Sequence, residues 1–258
     1  MKILVIGDIV GRPGRNIMKE KLQNFVLDFN ADFTIANCEN ASGGNGLTEK
    51  NTLELFEYGI EVITMGNHVW DKKETINFID NYPNLIRPGN YPQPCPGKGY
   101  TIYEKNGIKI GVINISGIIY LNNLQCPFNT FDNIINKLSD TCKVIILDFH
   151  AEATSEKIAM GYYADSRASL VYGTHTHVQT ADTRILPGGT GYITDVGMTG
   201  PYDGILGIEK DIIINQLKSK RPIKFKIASG QVQVNGIIVD IDENTGKCRN
   251  IKNFINIF

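Results

Sequence analysis

The chain has 258 residues, of which 42% are hydrophobic and 21% are charged, with 26 glycines and 10 prolines. This composition excludes a disordered or collagen-like protein and is typical of a folded globular protein. The 26 Lys and Arg residues nearly balance the 27 Asp and Glu residues, so the formal net charge is -1. We therefore expect no extended nucleic-acid-binding surface. The charge balance is still compatible with a small anionic substrate.

Cysteine usage and the N-terminal segment predict a cytoplasmic protein. The five cysteines are odd in number and include no Cys-x-x-Cys pair, so we expect reduced thiols rather than disulfides or a zinc ribbon. The apolar run after Lys2 ends at Gly7, which is too short for a secretory signal. No apolar stretch approaches the ~20 residues of a membrane-spanning helix. We expect no membrane partner. The sequence is compatible with a homo-oligomer.

Strands and helices alternate along the first two thirds of the sequence. Apolar runs rich in β-branched residues predict strands at 2–6, 32–37, 61–65, 143–149 and 169–173. Amphipathic stretches predict helices at about 16–29, 48–58, 72–80, 130–139 and 154–163. Alternation of this kind favours a largely parallel sheet.

Two regions depart from the alternation. Lys105-Asn106-Gly107 separates two alternating runs within 99–115, which predicts a hairpin and makes the sheet mixed. Residues 181–195 and 231–254 have the pattern of strands joined by Gly-rich turns, so we expect a second, mostly antiparallel sheet there. No linker or internal repeat divides the chain. We predict an α/β protein with one domain over 1–258, built from two sheets with helices outside.

Polar side chains gather where the predicted strands end. All four histidines have this position: His68, His150, His175 and His177. Further oxygen donors follow other strands: Asp8, Glu39, Asn40 and Asn67. Open α/β sheets bind ligands at the carboxyl ends of their strands. Nitrogen and oxygen donors without thiolates suit Fe, Mn or Zn, and the set exceeds what one tetrahedral ion uses, so it predicts two metal ions.

Each of these residues also has a purely structural interpretation. Asp8 could cap the following helix, Glu39 and Asn40 could be turn residues, and His150 could be a hydrogen-bonded core histidine. The segment 173–177, Gly-Thr-His-Thr-His, favours metal binding because imidazoles two residues apart project to the same side of an extended segment. The joint pattern favours a functional site, since unrelated residues have no reason to gather at successive strand ends.

The order of these residues resembles the signature of calcineurin-like metallophosphoesterases. The segments GDIVGRPGR, NCENASGGNG, GNHVWD, DFHAEATSEK, YGTHTHVQTAD and DVGMTGPYDG are similar to the YmdB-like branch, bacterial phosphodiesterases that act on cyclic nucleotides. The resemblance implies a two-sheet αββα sandwich of the metallophosphoesterase type, with mixed sheets and helices on the outer faces. Two departures from the broader pattern stand out: Asp-x-His is replaced by Asp8-Ile9-Val10, and the bridging Asp by Glu39.

The resemblance also implies a ligand set and a mechanism. The first metal ion would be held by Asp8, Glu39, Asn40 and His177, and the second by Glu39, Asn67, His150 and His175. Glu39 would bridge the two ions, which the resemblance implies are iron, although the donors would accept Mn or Zn. Two ions ~3.5–4 Å apart would activate a bridging hydroxide for attack on phosphorus. His68, beside Asn67, is predicted to act as general acid toward the leaving ribose oxygen.

The predicted activity is hydrolysis of 2′,3′-cyclic nucleotides such as 2′,3′-cAMP. Two alternatives stay open: a phosphatase of broader monoester specificity on the same centre, and a regulatory or RNA-associated protein with a structural metal site. Substrate-binding residues stay unassigned. Arg12 and Arg15 are candidates for phosphate contacts but are more typical of a solvated helix face. Tyr162, Tyr163 and Tyr192 are candidates for stacking on a base, but tyrosines are more typical of packed positions.

Overall fold

The structure is a computed structural model that describes residues 1–258. The strands are β1 (Lys2–Ile6), β2 (Asp8–Ile9), β3 (Phe33–Asn37), β4 (Val62–Thr64), β5 (Leu85–Ile86), β6 (Tyr100–Lys105), β7 (Ile108–Ser116), β8 (Val144–His150), β9 (Leu170–Thr174), β10 (Arg184–Ile185), β11 (Gly191–Ile193), β12 (Met198–Pro201), β13 (Val232–Ile241) and β14 (Cys248–Ile257). The helices are α1 (Gly11–Phe29), α2 (Glu49–Glu57), α3 (Thr75–Phe78), α4 (Pro127–Leu138), α5 (Thr154–Ala164) and α6 (Lys210–Ser219), and a 3-10 turn covers Ile79–Asn81.

Two sheets pack face to face, and helices cover their outer faces. In β1, Ile3 and Val5 face the second sheet, whereas Leu4 and Ile6 pack against the helices of their own side. The second sheet shows the same alternation, with successive side chains of β7 in the inter-sheet core and in the core under α4 and α5. Because strand side chains alternate between faces, a continuously apolar strand is buried on both sides. The predicted arrangement of two sheets with outer helices is confirmed.

The first sheet has eight strands and is mixed. From β1 it continues in parallel through β3 and β4 to β5. On the other side of β1 lies β13, which is antiparallel to it and is also paired with β12 and β14. The short strand β2 directly follows β1 and pairs in parallel with β12. Strands from opposite ends of the chain therefore meet in this sheet.

The second sheet has six strands in the order β10-β11-β9-β8-β7-β6. Strands β7, β8, β9 and β11 are parallel to one another, and β6 joins β7 through the predicted hairpin. Asn106 and Gly107 of that hairpin have φ values of 53° and 79°. Positive φ at both positions matches a two-residue turn whose twist suits the paired strands, so this prediction is confirmed.

The last third of the chain does not form the second, mostly antiparallel sheet that its sequence predicts. Residues 181–195 supply β10 and β11 to the edge of the sheet that contains β9, whereas β13 and β14 join β1 in the other sheet. The prediction is wrong because alternation identifies a strand but carries no information about its distant pairing partner. Helix α6 is also not predicted from the sequence, and none of its residues is buried. No helix has both the length and the apolar composition to cross a membrane.

Candidate metal centre

The candidate ligands converge where the carboxyl ends of strands from both sheets meet. The first sheet supplies its residues from β2 and from the loops after β3 and β4: Asp8, Glu39, Asn40, Asn67 and His68. The second sheet supplies three histidines, from the end of β8 and the loop after β9: His150, His175 and His177. Asp8 and His150 are fully buried, and Glu39 is 1% exposed. The structure thus brings all eight predicted residues to one place.

One group of donors surrounds the Nε2 atom of His150. This atom lies 2.9 Å from Asn67 Oδ1, 3.0 Å from Glu39 Oε1 and 3.1 Å from His175 Nδ1. The donor atoms of Glu39, His150 and His175 lie within 4.8 Å of one another, close enough to hold one metal ion. Mixed imidazole and oxygen donors are common ligands of transition metals.

A second group lies around the Nε2 atom of His177. Asn40 Nδ2 is 3.1 Å from this atom, and Asp8 Oδ2 is 3.6 Å from it. Asp8 Oδ1 is a buried oxygen that has no hydrogen-bond donor. A buried carboxylate oxygen without a donor is costly, and a bound cation would compensate it. The donor types and this unpaired oxygen therefore fit a metal centre.

Hydrogen bonds from the opposite ring nitrogen orient His150 toward the site. The Thr174 hydroxyl donates to Asp148 Oδ1 at 2.7 Å, so it accepts from His150 Nδ1, 2.9 Å away. With its proton on Nδ1, the ring presents the lone pair of Nε2 to the other candidate ligands. Hydrogen bonds of this kind fix the tautomer and the orientation of histidine ligands in metal proteins.

The other three histidines are held in the same manner. His175 has Nε2 3.0 Å from Glu152 Oε2, and Nδ1 on the side of His150. His177 Nδ1 donates to the carbonyl oxygen of Leu206 at 3.4 Å. His68 Nδ1 lies 2.8 Å from Asp71 Oδ2. In each case one ring nitrogen has a positioning partner, which leaves the second one for the site.

The segment with His175 and His177 adopts a constrained turn rather than the extended conformation that the sequence predicts. Strand β9 ends at Thr174, and the φ values of the two histidines are 99° and 64°. Positive φ is unfavourable for residues with a Cβ and persists only where the surroundings impose it. The prediction of an extended segment is wrong because hydrogen bonds across the site bend the chain, although both imidazoles still reach the centre.

Two buried carboxylates impose this turn. Asp8 Oδ2 accepts from the His175 backbone N–H at 2.9 Å. Asp195 Oδ2 accepts from the backbone N–H and the hydroxyl of Thr176 at 3.1 and 2.7 Å. Lys157 neutralises Asp195 at 2.6 Å and donates to the Thr174 carbonyl oxygen at 2.8 Å. The turn is thereby tied to β2 and to helix α5.

Glycine at position 66 allows His150 to reach the centre. A Cβ atom on Gly66 would lie 2.3 Å from His150 Nε2 and 2.4 Å from two ring carbons. Since real contacts of this type are never so short, any larger residue would displace the imidazole. The glycine directly before Asn67 and His68 is therefore required by the approach of a ring from the other sheet.

The pKa values of Glu39 and His150 reflect mutual attraction. Burial alone raises the pKa of Glu39, but the adjacent His150 outweighs it and lowers that pKa from 4.5 to about 2. Burial alone lowers the pKa of His150, but Glu39 outweighs it and raises that pKa from 6.5 to about 9. The buried carboxylates thus favour a positive charge at this point, which a metal ion also supplies.

The two histidines after β9 have lowered pKa values, because no carboxylate outweighs the effect of burial on them. Burial, together with the charge of His150, lowers the pKa of His175 to about 3. Burial also lowers the pKa of His177. Both imidazoles are therefore neutral at neutral pH, which is the form that binds metals. Burial raises the pKa of Asp8 well above its usual range, and an adjacent cation would favour its ionised form.

A cavity of about 780 Å³ opens onto the centre. Glu39, Asn40, His68, His175 and His177 line its floor. The arginines and tyrosines considered from the sequence, Arg12, Arg15, Tyr162, Tyr163 and Tyr192, are absent from its lining. Of these, Arg15 instead donates to the carbonyl oxygen of Ala41 and lies 3.4 Å from Glu54, so it connects α1 to α2.

Sequence reasoning missed the residues that support the ligands. Asp148 and Lys157 are buried charges, and Asp195 accepts three hydrogen bonds from Lys157 and Thr176 and a fourth from the Gly197 backbone N–H. Asp148 interrupts the apolar run of β8, and a charge in a strand buried on both faces could have indicated a partner. Nothing comparable distinguishes Glu152, which is half exposed, from an ordinary surface residue.

Comparisons with known proteins show which sequences and folds this chain is similar to. The family model described as YmdB-like protein matches residues 4–254. The 2′,3′-cyclic-nucleotide 2′-phosphodiesterase of Bacillus subtilis is 51% identical over 255 residues, which cover 99% of this chain and 97% of that protein. A hypothetical protein from Thermus thermophilus has a crystal structure that matches with a TM-score of 0.93 and 36% identity, over 100% of this chain and 99% of that one.

A second crystal structure, of a novel phosphatase from Mycoplasma pneumoniae, matches with a TM-score of 0.94 and 35% identity, over 100% of this chain and 93% of that one. The match extends over both sheets and their outer helices, and the fold is that of the calcineurin-like metallophosphoesterases. Family match, sequence identity and fold all agree, so the chain belongs to the YmdB-like family.

Proposed function

We propose that this protein is a metal-dependent phosphodiesterase that hydrolyses 2′,3′-cyclic nucleotides. The observation that carries the proposal is the buried set of carboxylate, amide and imidazole donors at the bottom of an open cavity. Membership of a family with a relative described as a 2′,3′-cyclic-nucleotide 2′-phosphodiesterase supports a phosphoric diester hydrolase. The nucleotide specificity rests on that relative and on the chemistry below.

Two groups of contacts support a centre for two metal ions. The group around His177 contains Asp8 and Asn40, and the group around His150 contains Asn67 and His175. Glu39 has one oxygen on the His150 side and is the proposed bridging ligand. Iron is the proposed metal, and Mn or Zn would suit the same donors. When bound, such ions supply a Lewis acid that lowers the pKa of water and offsets charge on phosphoryl oxygens.

His68 is the proposed general acid. Its ring lines the cavity, is 37% exposed and has Nδ1 2.8 Å from Asp71, so Nε2 is available to a substrate. The departing ribose oxygen needs a proton when the P–O bond breaks, and an imidazole in this position supplies it. The contact with Asp71 limits rotation of the ring. Glu39 Oε2 accepts from the His68 backbone N–H at 2.8 Å, which ties the acid to the centre.

A broader phosphatase on the same centre is the second candidate, because the similar structure from Mycoplasma pneumoniae is described as a novel phosphatase. Both a monoester and a cyclic diester would present anionic phosphoryl oxygens to the floor of the cavity. They differ in the leaving group and in the ring that is opened.

We further propose that residues 1–258 act as one domain and that the protein works in the cytoplasm.

The test combines metal analysis with three substrates. Protein purified anaerobically is analysed for metals and then assayed with 2′,3′-cAMP, 3′,5′-cAMP and p-nitrophenyl phosphate. We expect two metal ions per chain and the highest kcat/KM with 2′,3′-cAMP. Equal or faster hydrolysis of the aryl monoester favours the phosphatase. Full metal occupancy without turnover of any substrate favours a regulatory or RNA-associated protein with a structural metal site.

A further inference from the structure

We propose that six apolar residues on one side of the cavity form the binding surface for the nucleobase, and that Phe225 stacks on it. We call this surface the apolar wall; it consists of Ile205, Leu206, Ile208, Ile213, Phe225 and Ile227. The inference rests on the proposed function, since it names the part of the site that recognises a nucleotide rather than any phosphodiester.

The cavity is divided chemically into two parts. Its floor carries the candidate metal ligands and His68, which suit the phosphodiester. The apolar wall forms another part of its lining, and Lys224 is the only Lys or Arg residue there. A nucleotide has the same division, because an anionic phosphate and a flat, largely apolar base lie at its two ends. A volume of about 780 Å³ lies within the range of small-molecule sites.

The apolar wall is held in a fixed position beside the candidate ligands. The Leu206 carbonyl oxygen accepts from His177 Nδ1 at 3.4 Å, so the two parts of the cavity are directly connected. Ile205 and Ile208 exchange backbone hydrogen bonds of 2.8 and 3.0 Å, which close a tight turn with φ of 51° at Leu206. A Cβ on Gly207 would lie 2.8 Å from Val10 Cγ1, so this turn packs closely on the loop after β2.

Phe225 is available for stacking because its ring is not part of the core. It is 52% exposed although it lines the cavity, and helix α6 beside it in the chain buries none of its residues. Apolar groups that stay exposed next to a polar site are typical of ligand-binding surfaces. An aromatic ring stacks on any base, because every base has a π face, so the wall predicts recognition of a base without strong choice among bases.

The experiment compares substrates with and without a base. Wild type, Phe225→Ala and Phe225→Trp are assayed with 2′,3′-cAMP and with methyl riboside 2,3-cyclic phosphate, which lacks the base. Tyr202→Ala is the matched control, since Tyr202 is a 48% exposed aromatic residue outside the cavity lining. Binding of adenosine, which lacks the phosphate, is measured by calorimetry for each variant.

We expect Phe225→Ala to lower kcat/KM for 2′,3′-cAMP about tenfold, mainly through KM, and to weaken adenosine binding about tenfold. Phe225→Ala should cleave the base-free substrate at the wild-type rate. Phe225→Trp should retain activity on 2′,3′-cAMP, and Tyr202→Ala should match wild type on both substrates. Equal loss on both substrates, or no loss on either, overturns the inference while the proposed function stands. If wild type cleaves neither cyclic substrate, the proposed function fails; adenosine binding that depends on Phe225 then still supports the base site, and its absence overturns it.

Discussion

The hydroxyl of Thr174 connects a buried carboxylate to a candidate metal ligand, and its removal tests whether that connection controls metal binding. Thr174→Val keeps the shape of the side chain and the strand propensity of β9 but removes Oγ1. His150 Nδ1 then loses its acceptor at 2.9 Å, and Asp148 Oδ1 loses its donor at 2.7 Å. All three side chains are fully buried, so water does not replace either hydrogen bond.

The expected magnitudes follow from these two lost partners. Each buried polar group left unpaired costs ~1–3 kcal/mol, so the variant should lose about 2–6 kcal/mol of unfolding free energy. Without the bond at Nδ1, the His150 ring is no longer restricted to the tautomer and orientation that present Nε2. Loss of such a partner typically weakens metal binding about 10–100-fold.

Urea unfolding followed by circular dichroism measures the first effect, and calorimetric titration with Mn²⁺ or Zn²⁺ measures the second. Thr174→Ser is the control, because serine retains the hydroxyl and should bind metal nearly as well as wild type. A valine variant that is destabilised but binds metal with wild-type affinity would show that Thr174 supports only the core. The reasoning about ring orientation would then be refuted.

Four other predictions concern the centre itself. His68→Ala should keep its fold and metals and lower kcat by ~10²–10⁴-fold; loss of metal in elemental analysis would show that His68 is a ligand. Glu39→Gln should weaken both metal ions together, and full retention of one ion would contradict a bridging role. Gly66→Ala should displace His150, lowering metal content and destabilising the fold by ~1–3 kcal/mol in urea unfolding; a variant as stable and metal-rich as wild type would contradict the contact. When a chelator keeps the protein free of metal, the attraction between Glu39 and His150 stabilises the fold. Because the pKa of Glu39 is lowered from 4.5 to about 2, its contribution is lost as the pH falls through this range. The pKa of His150 is raised from 6.5 to about 9, so its contribution is lost as the pH rises through that range. The difference in unfolding free energy between wild type and Glu39→Gln should therefore be largest between about pH 4.5 and 6.5, and a flat difference would oppose the pairing.

Local patterns predicted most elements of the fold because those elements are determined locally. Strands β1, β3, β8 and β9 are short apolar runs next to amphipathic helices, and the hairpin between β6 and β7 needs only the turn at Asn106 and Gly107. The pairing of β13 with β1 joins residues more than 200 positions apart, for example Ile3 with Val239. Hydrophobic alternation is the same whichever sheet such a strand joins, so the sequence alone could not decide it.

The candidate site was predictable to the extent that strand ends define it. The ligand candidates lie at or just after the ends of strands, where open α/β sheets bind ligands, although the strands belong to two sheets. The supporting bonds were not predictable, because Asp148 reaches His150 only through the hydroxyl of Thr174 on the neighbouring strand. The positive φ values of the turn after β9 also depend on carboxylates from β2 and from the loop before β12.

The position of β13 has a consequence for biosynthesis. This strand lies alongside β1 although more than 200 residues separate the two in the chain. The edge of β1 that it covers therefore stays unpaired during synthesis until β13 has been produced. A nascent or prematurely terminated chain that lacks β13 presents an open strand edge that can associate with other polypeptides.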